Sequence, residues 1–112
     1  MAMGKVQKPF DNVTTTNAYQ YEIIEILNYA RAGVYIGNTG TSNTLTYIIH
    51  GSYSVLDSDA SWVEEVAATD VIKEADDEKE ITAPFARIRI GVKSQTTDAH
   101  TTCDVFCVKK RY

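Results

Sequence analysis

The segment Val34–Ser52, VYIGNTGTSNTLTYIIHGS, decides how the rest of the chain is interpreted. Both of its ends are rich in aromatic and β-branched residues, which suit the pleated, half-buried surface of a β-strand. Between them lies GNTGTSNT, a dense cluster of turn-forming residues. The segment therefore predicts two strands, Val34–Asn38 and Thr44–Ser52, joined as a hairpin. Because a lone hairpin is only marginally stable, the remaining chain must supply partner strands.

The clearest single strand is Ala86–Lys93, ARIRIGVK, in which apolar and charged residues alternate. A period of two is typical of a sheet with one face in water. Arg87 and Arg89 are therefore predicted to lie outside the core. The buried face is predicted to hold the alternating aliphatic residues Ile88, Ile90 and Val92.

The segment Thr102–Lys109, TCDVFCVK, alternates in the same way and carries both cysteines of the chain. Cys103 and Cys107 are four residues apart, which is about 13 Å along a strand at roughly 3.3 Å per residue. That separation is too long for a disulfide. We expect the two thiols to share one face as small buried apolar groups.

The segment Tyr21–Asn28, YEIIEILN, fits either a strand or a helix. As a strand it places Ile24 and Ile26 on one face. As a helix it would begin after an Asn17 cap and end at Gly33. The strand is favoured because the neighbouring segments are strands that need a partner.

The middle of the chain gives weaker signals. Trp62–Val66 and Thr69–Lys73 are candidates for short strands, with a helix across Ala60–Ala68 as the alternative. Trp62, the only tryptophan, is expected to fill the core. The run Glu74–Glu80, EADDEKE, is expected to be an exposed acidic loop.

Seven or eight short strands separated by turn signals predict an all-β protein, either an antiparallel β-sandwich or a jelly roll. A length of 112 residues fits one domain. Residues 20–112 are predicted to form this domain. Residues 1–19 differ in composition and are predicted to be an extended N-terminal arm, with Phe10 as an anchor.

The composition argues against several classes of function. A net charge of −4 disfavours sequence-independent binding to nucleic acid, which depends on neutralising phosphates. No apolar window approaches the ~20 residues of a transmembrane helix. The N-terminal sequence MAMGKVQKPFDNV lacks the apolar region of a secretory signal, so we expect synthesis in a cytoplasm.

Catalytic and metal-binding motifs are missing from the sequence. His50 is predicted to lie in a strand and His100 in a loop, and two isolated histidines do not predict a zinc site. Asp57–Ser61 begins like a calcium loop, but Trp62 stands where that loop needs glycine and Ala68 where it needs glutamate. The sequence therefore predicts neither an enzyme nor a cofactor.

Tyrosine is abundant, with seven copies. Exposed tyrosines suit protein interfaces because they offer a large contact area with a polar tip. Packing in the core or across strands is the alternative. The candidate interface residues are the aromatic and arginine side chains Phe10, Tyr19, Tyr35, Tyr53, Arg87 and Arg89.

Four pieces of the chain, residues 34–40, residues 45–52, Trp62 and residues 83–94 (APFARIRIGVKS), together resemble small β-sandwich proteins of tailed-phage virions. The resemblance extends over about Tyr21–Val108. It implies a capsid decoration (cement) protein, or another head or tail component, which is made in the host cytoplasm and carried in the virion. It also implies a homo-oligomer, often a trimer, that binds a major capsid or other virion protein without nucleic acid or membrane.

Similar strands occur in carbohydrate-binding modules, and such a module of a phage fibre is the alternative function. A binding module should display exposed aromatic side chains that form a platform for a sugar.

Overall fold

The computed structural model describes residues 5–56 and 61–111. Two four-stranded antiparallel sheets pack face to face, and the described residues contain no helix that could span a membrane. The eight strands are β1 (Lys5–Thr14), β2 (Gln20–Glu25), β3 (Arg31–Asn38), β4 (Leu45–Ser52), β5 (Val63–Val71), β6 (Asp76–Ile81), β7 (Arg87–Ser94) and β8 (Thr102–Lys110).

The strand order is that of a jelly roll. Sheet A has the order β1-β8-β3-β6, and sheet B has the order β2-β7-β4-β5. The chain crosses between sheets at nearly every connection, and among the eight strands of the described residues only β4 and β5 are neighbours both in sequence and in a sheet. This arrangement is the eight-stranded double Greek key. The predicted all-β sandwich is therefore confirmed.

The predicted hairpin Val34–Ser52 is wrong, although both of its strands exist. β3 lies in sheet A and β4 in sheet B, so the polar turn carries the chain from one sheet to the other. Asn38, 2% exposed, organises this crossing. Its Nδ2 donates to the carbonyls of Asn43 and Val71, each at 2.9 Å, and its Oδ1 accepts from Thr101 Oγ1 at 2.7 Å. The turn residues were read correctly, but strand pairing is set by distant parts of the chain.

Most of the predicted N-terminal arm is an edge strand. β1 pairs with β8 from Lys5 opposite Lys109 to Thr14 opposite Thr102. Phe10 is 4% exposed and belongs to the hydrophobic core. An edge strand tolerates Pro9, which has no N–H to donate. Residues 1–4 of the predicted arm lie outside the described residues.

The strand interpretation of the segment around β2 is confirmed, since residues 20–25 pair with β7 in one unbroken register. Ile24 and Ile26 are buried in the core. Tyr21, Ile23 and Leu27 are exposed, as alternation along a strand requires.

Two expectations for the middle of the chain are wrong. The two short strands form one nine-residue strand, β5, so the helical alternative fails from residue 63 onward. The supposed acidic loop contributes β6, which is an edge strand of sheet A. Charged residues are tolerated there because an edge strand in water can carry its charges outward.

The core lies between the sheets, and the four central strands β3, β4, β7 and β8 each contribute three residues to it. Ile88, Ile90 and Val92 are fully buried, as predicted. Cys103 and Cys107 are free thiols on the same buried face, and burial raises the pKa of each to about 11. These cysteines therefore act as core side chains.

A partly buried hydrogen bond links the two sheets on one side of the sandwich. The hydroxyl of Tyr47, in β4, donates to Asp77 Oδ2, in β6, at 2.5 Å. Burial, followed by this hydrogen bond, raises the pKa of Tyr47 far above its ordinary value. The phenol therefore stays protonated and keeps its hydrogen bond at physiological pH.

Candidate binding surfaces

The six candidate interface residues occupy different environments. Phe10 lies in the core, and Arg87 is 4% exposed beneath the β4–β5 connection. Neither side chain is available to a partner, which corrects their assignment as contact residues. The four that reach the surface are Tyr19, Tyr35, Tyr53 and Arg89.

The outer face of sheet B carries a row of cations and aromatic rings in contact with one another. The Arg89 guanidinium lies 4.5 Å from the centre of the Tyr21 ring and 4.8 Å from that of Trp62. Tyr19 and Tyr21 have ring centres 5.7 Å apart. Lys93 lies over Tyr19 at 5.1 Å, and Arg87 lies over Trp62 at 5.4 Å. We call these six residues the cation–ring row: Lys93, Tyr19, Tyr21, Arg89, Trp62 and Arg87.

Gly91 allows this row to lie close to the sheet. It faces outward between Arg89 and Lys93 on β7, and Tyr21 is its cross-strand partner. A Cβ at residue 91 would lie only 2.7 Å from the Tyr21 ring. The missing side chain therefore lets the Tyr21 ring lie across the strand and reach Arg89.

His50 completes the surroundings of Arg89. The Arg89 Nε donates to His50 Nδ1 at 3.2 Å, so the imidazole is neutral and carries its hydrogen on Nε2. The Tyr21 and His50 rings are 6.0 Å apart. Burial, and then the charge of Arg89, lower the pKa of His50. Acid would break this contact, since imidazolium cannot accept a hydrogen bond.

Trp62 does not fill the core, contrary to the expectation. It is half-buried on the outer face of sheet B, where it covers Arg87 and Arg89. The sequence does contain a signal for this position of Trp62. Two arginines lie on the outer face of β7, and guanidinium groups favour the faces of aromatic rings.

Exposed apolar side chains lie on the connection between β4 and β5 and at the first residue of β5. Tyr53 and Leu56 are 64% and 56% exposed, and the Tyr53 ring packs against Phe85 with 4.9 Å between centres. Arg87 fixes the backbone of this segment, since its Nε and Nη2 donate to the carbonyls of Ser54 (3.1 Å) and Leu56 (3.3 Å). We call the following four exposed residues the apolar patch: Tyr53, Val55, Leu56 and Val63.

The outer face of sheet A is built differently. Tyr35 donates to Asp76 Oδ2 at 2.7 Å, and its ring lies 5.8 Å from that of Phe106. Arg31 forms an exposed ion pair with Glu80 at 3.0 Å. An open groove of about 420 Å³ lies over Gly33, between Tyr35 and Lys110.

One serine–histidine contact has the residue types of a hydrolase dyad. Ser94 Oγ and His100 Nδ1 are 2.7 Å apart, but Ser94 is 3% exposed and also bonds Thr15 Oγ1 at 2.8 Å. A buried hydroxyl with two partners cannot attack a substrate in solution. The contact therefore closes the connection between β7 and β8. Among residues 5–56 and 61–111, no group of acidic, histidine and cysteine side chains could hold a metal ion.

Solved structures show the same fold at low sequence identity. PirA is 16% identical, with a TM-score of 0.58, over 89% of this chain and 90% of its own. The SPBc2 prophage-derived protein YomS is 11% identical, with a TM-score of 0.55, over 96% of both chains. The CBM22-1 xylan-binding domain of Xyn10C from Paenibacillus barcinonensis is 12% identical, with a TM-score of 0.51, over 97% of this chain and 85% of its own.

No protein-family model and no curated protein sequence matches this chain. At the identities found, the structural likeness defines an eight-stranded jelly roll and nothing finer.

Proposed function

We propose that this protein is a non-enzymatic structural component of a tailed-phage virion, either a capsid decoration protein or another head or tail protein. It acts through protein contacts and is carried in the particle. The apolar patch is the observation that carries this proposal. Three exposed apolar side chains on one connection, with a fourth at the start of the next strand, are typical of a surface that a partner protein covers.

The construction of the patch supports the proposal. Arg87 holds two carbonyls of the segment, and Phe85 supports the Tyr53 ring from below. The apolar side chains are thus presented on a braced backbone, which reduces the entropy lost on binding. Further support comes from YomS, a prophage-derived protein with this fold over nearly the whole of both chains.

Co-sedimentation tests the proposal directly. Purified protein is mixed with particles of the phage that carries its gene, prepared without this protein, and the pellet is assayed. We expect saturable binding that Leu56→Asp weakens at least tenfold. Ile72→Asp is the matched control, because Ile72 is an aliphatic residue of similar exposure, 65% against 56% for Leu56, outside the patch. The proposal fails if the protein does not co-sediment and mass spectrometry finds no copy in native particles.

A deletion is not a suitable test of the N-terminal region. Deleting residues 1–16 would remove β1 and the core residue Phe10, so that the variant would lose stability along with any contact. The particle-binding role of this region is better tested by surface substitutions such as Val6→Asp, since Val6 is exposed on β1.

Carbohydrate binding is the second candidate, and the cation–ring row favours it. Tyr21 is an exposed ring flanked by Tyr19 and by the Arg89 guanidinium. Rings of this kind can stack on a sugar while a nearby cation donates hydrogen bonds. The xylan-binding domain shows that this fold can serve such a role in another protein.

Titration with xylo-oligosaccharides and with a panel of bacterial surface glycans distinguishes the two functions. A glycan-binding protein should show saturable binding that Tyr21→Ala abolishes. Tyr35→Ala, on the outer face of sheet A, should leave that binding intact. Lack of binding to every glycan, with Leu56-dependent binding to particles, would leave only the virion role.

A further inference from the structure

We propose that β2 is an open sheet edge at which a second copy of this chain pairs, strand to strand, so that two sheets B become one continuous sheet. An edge strand presents unpaired backbone N–H and C=O groups, and proteins usually protect such edges. The sandwich has four edge strands, β1 and β6 in sheet A and β2 and β5 in sheet B. These four edges differ in the features that hinder pairing with another chain, and this difference identifies β2 as the open edge.

Two of the four edges are bent away from regular pairing. The pairing of β1 with β8 shifts register twice, and β1 also carries Pro9 and Lys8. The pairing of β5 with β4 also shifts register twice, and β5 carries the acidic residues Glu64, Glu65 and Asp70. Bulges, proline and charge are the usual means by which an edge avoids pairing with another chain.

β6 is regular but charged. Its register with β3 runs without a shift from residue 76 to residue 81, and its first five residues are DDEKE. A second strand of the same composition would place like charges opposite each other, which is destabilising. This edge therefore repels a further copy.

β2 is the least protected of the four edges, because its only charges are the two carboxylates Glu22 and Glu25. Its register with β7 is unbroken over Gln20–Glu25, and the strand has no proline. Tyr21 and Ile23 expose apolar side chains on its outer face, and Leu27 continues that row just beyond the strand. A regular edge with exposed apolar residues is the type that accepts another strand.

The sequence of β2 is self-complementary in an antiparallel pair. Side chains on the same face must meet, so odd-numbered residues pair with odd-numbered residues. A pair centred on Ile23 sets Ile23 against its own counterpart and Tyr21 against Glu25 of the second copy. Glu22 then faces Ile24 of the second copy. No like charges are directly opposed, and the two apolar rows join across a two-fold axis.

This inference concerns self-association and stands independently of the virion role. It predicts an even number of copies, in contrast to the trimer implied by the family resemblance.

Sedimentation velocity on the intact protein, over a wide concentration range, tests it. We expect a concentration-dependent dimer of the 12.4 kDa chain. Ile23→Lys should weaken dimerisation at least tenfold, because it places two cations opposite each other at the axis. Val6→Lys, an equivalent change at an exposed apolar residue of the protected β1 edge, should have no effect. Far-ultraviolet circular dichroism of both variants controls for folding.

Cysteine substitution tests the register. Ile23→Cys should form an intermolecular disulfide on mild oxidation, since directly opposed residues of antiparallel strands lie within disulfide range. Tyr21→Cys should not, because its counterpart is Glu25. A monomer at every concentration, a trimer, or equal effects of Ile23→Lys and Val6→Lys would overturn the proposal. A monomer that loses particle binding only with Ile23→Lys would assign the edge to a different protein.

Discussion

The two outer faces of the sandwich are held together by different chemistry. On sheet A, most contacts join charged and hydroxyl groups in water, as in the exposed pairs Arg31–Glu80 and Tyr35–Asp76, and the Lys8 cation lies over the Phe106 ring. On sheet B, cations lie on aromatic rings, with Arg89 between Tyr21 and Trp62. Water and salt screen the first kind of contact strongly, whereas a guanidinium covered by two rings is partly desolvated. Sheet B should therefore have the more robust face.

The largest effect should come from the interior that both sheets share. Ile90→Asp buries a carboxylate without a partner in the centre of β7, and we expect it to lower the free energy of unfolding by more than about 3 kcal/mol. Ile72→Asp, at an exposed residue that directly follows β5, is the control and should cost less than about 1 kcal/mol. Urea denaturation measures both. Equal losses would mean that the surface carries as much stability as the core.

Next in size is the central cation of the row. Arg89→Ala removes a guanidinium packed between two rings and its hydrogen bond to His50, at an expected cost of about 2 kcal/mol. Lys8→Ala, which removes an exposed cation near Asp11 and Phe106 on sheet A, should leave the unfolding midpoint unchanged within error. The difference between the faces would disappear if both variants behaved alike.

A smaller effect should appear with pH on sheet B. Burial and Arg89 lower the pKa of His50 in the folded protein, so the unfolded chain binds that proton more readily. The contribution is complete above the unfolded pKa of about 6.5 and is lost as the pH falls through the lower folded value. His50→Asn keeps an acceptor but cannot titrate. Wild-type protein should therefore lose more thermal stability than His50→Asn between pH 7.5 and pH 5; parallel losses would contradict this.

The smallest effect should come from an exposed ion pair on sheet A. Glu80→Gln removes the pair with Arg31 and should cost less than about 0.5 kcal/mol at low ionic strength. In about 1 M NaCl the difference from wild type should vanish, because the screening length falls to about 3 Å. Arg89→Ala should keep most of its cost in the same salt, as melting curves under both conditions can show.

Alternation in the sequence was enough to assign the buried faces of the central strands. Ile88, Ile90 and Val92 lie where a period of two puts them, and so do Cys103 and Cys107. Such patterns succeed because every second side chain of a strand points to the same face of its sheet. They do not show which strands are neighbours, and the Val34–Ser52 hairpin failed for that reason.

The surfaces were harder to predict, because their residues come from distant parts of the sequence. Tyr21, His50, Trp62 and Arg89 lie on four separate segments and meet only through the pairing of β2, β7 and β4 and the return of the β4–β5 connection. Tyr19 and Arg89 were named as surface residues, but nothing in their spacing joined them. Phe10 was expected at an interface and lies in the core, whereas Trp62 was expected in the core and lies on the outer face of sheet B. Aromatic content alone does not distinguish a core ring from a ring that covers a cation.

The position of the last two strands governs how the protein can form during its synthesis. β8 separates β1 from β3 in sheet A, and β7 separates β2 from β4 in sheet B. Until residues 87–110 leave the ribosome, the nascent chain can form only the pairs β3–β6 and β4–β5. Neither two-stranded ribbon is stable alone. β1 and β2 stay unpaired until their partners β8 and β7 have been synthesised. A chain that stops before residue 87 should thus behave as an unfolded peptide, and the two sheets should assemble in one step once residues 87–110 have left the ribosome.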